Sequence, residues 1–166
     1  MDSFFATYVR AFIYHDLQAA IDGKANYLAA LGLVAYTEFM GGIMRGEFGY
    51  KKSRQNFLAF VQKYFPSCYM KADQDLQPRG GLYGVIRNGL AHEYFMKGGD
   101  ASFTIYLMKT LSCGVRLNFT SYHLEFSVAN YFRDFKTACE TYHDDLVEGT
   151  PSLINAFRES KMYLRF

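Results

Sequence analysis

The chain has 166 residues, half of them apolar, a length suited to one domain and enough to bury a core without metals or disulfides. Composition excludes intrinsic disorder, collagen and a disulfide scaffold. Eighteen basic residues against sixteen acidic ones leave a formal charge of +2, too little to coat nucleic acid through bulk charge.

Three helical patterns open the chain. Phe5, Tyr8, Val9, Phe12, Ile13 and Leu17 recur at three- and four-residue spacing, with Ser3 placed to cap the first turn. A second helix is expected from about Lys24 to Arg45, apolar around most of its circumference and therefore central, and Gly46 and Gly49 break it. A third runs from about Lys51 to Phe65, with Phe57, Leu58, Val61, Tyr64 and Phe65 as its stripe, and Pro66 stops it.

Ser67 to Pro78 is polar and reads as a loop, in which Asp73 and Asp75 are solvated acids. The fourth helix follows over roughly Gly81 to Phe95, ended by Gly98 and Gly99. From Ala101 the period changes to two. Phe103, Ile105 and Leu107, then Val115, Leu117 and Phe119, then Tyr122, Leu124 and Phe126 alternate with polar neighbours, the pattern of an antiparallel meander with one buried face. A fifth helix carries Val128, Tyr131, Phe132, Phe135, Cys139 and Tyr142 on one stripe. Thr150 and Pro151 start a short terminal helix through Leu153, Ile154 and Phe157. The expectation is one mainly α domain over residues 1–166, with a three-stranded antiparallel β insertion at about 101–127 between the fourth and fifth helices.

The unusual component is aromatic: 16 Phe and 14 Tyr, without Trp. Most of these rings fall on the helical stripes or the alternating strand positions and are assigned to the core. Tyr50, Tyr94 and Phe95 are the rings left over, the ones expected to serve if any aromatic side chain stacks on a base. Cys68, Cys113 and Cys139 are far apart and form no CxxC pair, so they read as reduced core residues of a cytoplasmic protein. Met1 to Ser3 lack the cationic start of a signal peptide. Asn26, Glu38 and several glycines interrupt the most membrane-like window, Ala25 to Met44, which is expected to be a core helix rather than a membrane span.

Few motifs carry chemistry. Gly80, Gly81 and Gly84 lack the Lys-Ser/Thr of a phosphate-binding P-loop. No GxSxG occurs, no Cys has a neighbouring His, and His15, His123 and His143 have no ligand spacing, so neither metal nor cofactor is expected. What remains is Arg87-Asn88-Gly89-Leu90-Ala91-His92-Glu93-Tyr94, on the fourth helix. With nine Arg and four His, an Arg five residues before a His is expected about 0.2 times by chance; demanding Asn after the Arg and Tyr two after the His lowers this to about one in a thousand. Arg10 with His15 meets only the short form. Arg116 with His123 meets a looser spacing, on a predicted strand.

The spacing suits phosphodiester chemistry. A guanidinium binds phosphate through two parallel hydrogen bonds and stabilises charge in the transition state. Histidine can move the ribose 2′-OH proton near neutral pH. Residues 45–97 also carry nine basic and four acidic side chains, the one electropositive stretch, in which Lys51, Lys52, Arg54 and Arg79 are candidate RNA contacts.

The Arg87, Asn88, His92 and Tyr94 pattern resembles the signature of the HEPN superfamily (higher eukaryotes and prokaryotes nucleotide-binding), and is closest to its toxins with an Arg-x4-His-x-Tyr motif. The resemblance implies an up-down helical bundle and a metal-independent endoribonuclease that acts as a homodimer, in a toxin-antitoxin or phage-defence role. Arg87 and His92 would be catalytic, Asn88 and Tyr94 supporting. In members paired with a nucleotidyltransferase antitoxin, the residue matching Tyr94 is the one AMPylated. The alternative is a non-catalytic HEPN-like module that binds a nucleotide, RNA or a protein partner. The β insertion lies outside the minimal family core, and Gly89 lowers helix propensity inside the motif.

Overall fold

Asn26–Arg45 forms helix α2, the centre of the computed structural model, which describes residues 1–92, 104–107, 112–118 and 123–164. Ahead of it, α1 covers residues 2–22, with wider π-type turns over Phe5–Tyr14. Met1 occupies the cap position and no side chain caps the helix, so Ser3 sits inside the first turn instead of before it. Lys24 adopts φ +57°, which interrupts helical geometry and moves the start of α2 from the expected Lys24 to Asn26. Gly46, at φ +67°, closes α2 in the left-handed conformation that a helix C-terminus favours.

A single 3-10 turn, Tyr50–Lys52, leads into α3, Ser53–Tyr64. Pro66 holds Phe65 extended and ends α3 there. Among the described residues, helices α2 and α3 make the largest helix contact. A Cβ at Gly41 would lie 1.9 Å from the Asn56 carbonyl oxygen, so only glycine permits this approach.

The segment expected to be a loop after Pro66 is helix α4, Ser67–Asp75, followed by a 3-10 turn over Gln77–Arg79. Tyr69, Ala72, Asp73 and Leu76 are all buried, and their spacing is helical. Helix α5 covers residues 81–92, with π-type turns over Gly84–Asn88. Its expected continuation to Phe95 and the stop at Gly98 and Gly99 lie outside the described residues.

Three short strands follow: β1, Thr104–Leu107; β2, Val115–Asn118; and β3, His123–Phe126. β2 and β3 pair antiparallel, with Arg116 opposite Glu125 and Leu117 opposite Leu124. β1 pairs parallel to β3, giving the order β1-β3-β2, so the insertion is not an up-down meander. The physical reason lies at the start of β2. Cys68 on α4 and Cys113 form a disulfide, Cα–Cα 6.5 Å, which corrects the reading of both as reduced thiols. The bridge holds β2 against α4, and the far edge of β3 is the one β1 takes. Only Cys139 is a free buried thiol.

Ser127 caps α6, Val128–Val147, by accepting from the Asn130 N–H, and Pro151 is the first residue of α7, Pro151–Leu164, as expected. The molecule is mainly helical. Its aromatic residues build a connected core: Phe65, Tyr69, Tyr131 and Phe126 meet with centroids 4.9–5.4 Å apart, and Phe5, Phe60 and Tyr64 surround Tyr142. Helix α2 has the length and apolarity of a membrane span, and α1, α3, α6 and α7 pack around it.

Candidate functional site

The site begins with the way α5 is started. Asp73, buried on α4, accepts from the Leu82 N–H at 2.8 Å and from the Gln77 amide at 2.6 Å, and it pairs with Arg54 at 3.5 Å. One buried carboxylate thus satisfies an orphan donor in the first turn of α5. Gly80 and Gly81 both have positive φ, and a Cβ at Gly81 would fall 2.3 Å from Asp73 Oδ1, so this turn requires glycine. Asp73 is therefore a structural residue and not the solvated loop acid that its polar surroundings suggested; Asp75 keeps a surface pair with Lys71 at 3.7 Å.

Buried Leu82, Val85, Ile86 and Leu90 set the rotation of α5 against the core. That rotation brings Arg87 to α2, where its Nε lies 3.9 Å from Glu38 Oε2. The Tyr83 hydroxyl donates to the same Glu38 oxygen at 2.8 Å. Burial, reinforced by Glu38, pushes the Tyr83 hydroxyl up to about 12.

Arg87 and Glu38 open on a cleft of about 180 Å³ between α2, the segment after Gly46 and α3, lined also by Ala35, Phe39, Phe48, Gly49, Ser53 and Asn56. A volume near 150 Å³ is enough to hold a benzene ring, so the cleft suits one small planar or tetrahedral group. Phe48 forms one wall, fixed between Phe39 at 6.1 Å and Tyr163 at 5.6 Å. Two buried polar atoms here have no hydrogen-bond partner among the described residues, Arg87 Nε and Asn56 Oδ1. The Asn56 amide nitrogen donates to the Glu47 carbonyl at 2.8 Å, an acceptor only, which fixes the orientation of the amide.

Of the motif, Arg87 lies in the cleft, Asn88 follows it, and His92 stands five residues on along the same helix. Tyr94 and Phe95 lie outside the described residues. The candidate RNA contacts are brought together in part. Lys51 is exposed and makes no ion pair among the described residues. Lys52 and Arg45 both pair with Glu47, whose carboxyl the Lys52 hydrogen bond holds below the ordinary range. Arg54 is engaged by Asp73 and Gln77, and Arg79 lies exposed on the adjoining turn. Much of the basic bias along this stretch is thus balanced locally.

The competing Arg-His pairs resolve differently. Arg10 donates to Glu140 on α6 and not to His15, and Tyr14 donates to the same carboxylate at 3.0 Å, which holds Glu140 below the ordinary carboxylate range. Arg116 pairs across the strands with Glu125. His143 bonds Asp2 at 2.8 Å and stacks on Phe5 at 4.3 Å, a packing role. Among the described residues no three His, Cys, Asp or Glu side chains gather as metal ligands.

Sequence reasoning missed Glu38, Tyr83 and Asn56. Glu38 carried a signal, being the one acid in the twenty residues of α2. Asn56 carried none. No protein-family model, no curated protein and no solved structure matches the chain.

Proposed function

We propose that the chain is a metal-independent, HEPN-like endoribonuclease acting as a homodimer, in a toxin-antitoxin or phage-defence role; the Cys68–Cys113 bridge removes the ground on which a cytoplasmic location was expected. One observation carries the reading: Arg87 lines a cleft, its buried Nε without a hydrogen-bond partner among the described residues, five residues before His92 on the same helix. In this reading Arg87 binds the scissile phosphate. His92 takes the proton of the ribose 2′-OH, whose oxygen attacks phosphorus; the bond to the 5′ oxygen breaks, leaving a 2′,3′-cyclic phosphate and a 5′-hydroxyl. His92 of a second copy returns a proton to that leaving oxygen. Asn88 and Tyr94 support the cleft, and a nucleotidyltransferase antitoxin would silence it by AMPylating Tyr94.

The test is cleavage of a mixed-sequence RNA in EDTA, by the wild type and by Arg87→Ala and His92→Ala. Cleavage lost in both variants supports the assignment. Undiminished cleavage in both overturns it.

Glu38 favours a second reading. A carboxylate 3.9 Å from Arg87 offsets the positive charge that a phosphate would meet. A non-catalytic module that binds a nucleotide, RNA or a protein partner tolerates that offset better than a nuclease does. Stoichiometric RNA binding without turnover, in protein with unmodified Tyr94, would identify it.

A further inference from the structure

Tyr50 lies on the short turn between two residues that line the Arg87 cleft. It follows Gly49 and precedes Ser53 by three residues, and both of these line the cleft. Its side chain is 96% exposed, and its ring and hydroxyl meet no partner among the described residues. Most of the other large rings are buried or packed against the core. The neighbouring residues explain how so large a ring is presented to solvent. Phe48 is anchored in the wall, Lys52 is tied back to Glu47, and Gly49, at φ +123° with nothing near its Cβ position, turns the chain outward between them. Lys51 follows it in the chain, exposed and without an ion pair among the described residues.

We infer that Tyr50 is a stacking platform for one unpaired base, held next to a phosphate on Arg87, so that the RNA taken by this site is single-stranded. A base inside a duplex already has both faces covered and cannot stack on a side chain, whereas every unpaired base offers a face regardless of its identity. The inference rests on the ribonuclease reading only for the identity of the polymer.

Fluorescence anisotropy with a 2′-O-methyl oligonucleotide, which cannot be cut, measures binding apart from cleavage. The single strand is expected to bind at least tenfold tighter than its duplex. Tyr50→Ala should weaken single-strand binding about five- to a hundredfold with the salt dependence unchanged, and Tyr50→Phe should bind as the wild type does. A 2-aminopurine placed in the strand should lose fluorescence on binding the wild type and keep it with Tyr50→Ala. Because Tyr50 is exposed, the substitution leaves the fold intact. Equal affinity for duplex and single strand, or a Tyr50→Ala variant that binds as the wild type does, overturns the inference. A strand that stacks on Tyr50 but is never cut as unmodified RNA leaves the inference standing and overturns the ribonuclease reading.

Discussion

The Arg87 guanidinium and the Glu38 carboxylate meet at 3.9 Å where α5 packs on α2, and the Tyr83 hydroxyl donates to the same carboxylate oxygen. Glu38 thus sets the charge of the cleft. Glu38→Gln should keep a hydrogen-bond acceptor for Tyr83 while removing the offset, and RNA affinity should rise about three- to tenfold at low salt. The gain should shrink as salt is raised. Titration of the two proteins at two ionic strengths checks both statements.

Asp73 joins α4 to the start of α5. Asp73→Ala removes the acceptor for the Leu82 N–H and leaves the Gln77 amide and Arg54 without their partner, a loss of about 2–4 kcal/mol. Asp73→Asn keeps a carbonyl oxygen at the cap and should cost less than half of that. Urea unfolding midpoints at equal m-value measure the difference.

The Cys68–Cys113 bridge encloses α5, so it constrains the segment that carries the motif. With a separation of 45 residues, the chain-entropy account gives about 4 kcal/mol, and native disulfides generally fall at 2–5. Cys113→Ser, or reduction with dithiothreitol, should lower the melting temperature by roughly 5–15 °C. Hydrogen exchange should show the loss first in α4 and in β2. Cys139 is buried, and burial pushes its thiol up, so it should stay unreactive towards alkylating reagents in the folded protein.

Buried hydroxyls predict the alkaline limit of stability. Tyr83 is pushed up to about 12, and burial pushes Tyr14, Tyr64, Tyr69, Tyr131 and Tyr142 up further. A hydroxyl raised above its unfolded value contributes stability that is fully present below about pH 10 and is lost as pH rises through the folded value. Unfolding should therefore set in between about pH 10 and 12. The tyrosinate absorbance near 295 nm contributed by these six hydroxyls should rise together with the loss of far-ultraviolet dichroism, after that of the exposed rings.

The helices were legible where apolar residues recur with a helical period, as in α2, α3 and α6. Helix α4 was not, because one of its buried positions is Asp73, an acid that hides the stripe formed by Tyr69, Ala72 and Leu76. Strand positions in β2 and β3 followed from alternation, but alternation says nothing about which edge β1 joins, and the Cys68–Cys113 bridge could not be read from two distant cysteines. At the site, Arg87 was legible from a local motif. Its surroundings were not, since Glu38, Asn56 and Phe48 reach it through tertiary packing from other parts of the chain. The pairing of Lys52 and Arg54 with acids likewise depends on folded geometry.

The central claim is that Arg87 and His92 act together on an RNA phosphodiester. Its most direct measurement is the chemistry of the cut ends: a defined single-stranded RNA incubated with the protein in EDTA and analysed by mass spectrometry. The account predicts 2′,3′-cyclic phosphate and 5′-hydroxyl ends, lost by at least a hundredfold in rate in both Arg87→Ala and His92→Ala. Intact RNA with unmodified wild-type protein, or cleavage that persists in both variants, would contradict it.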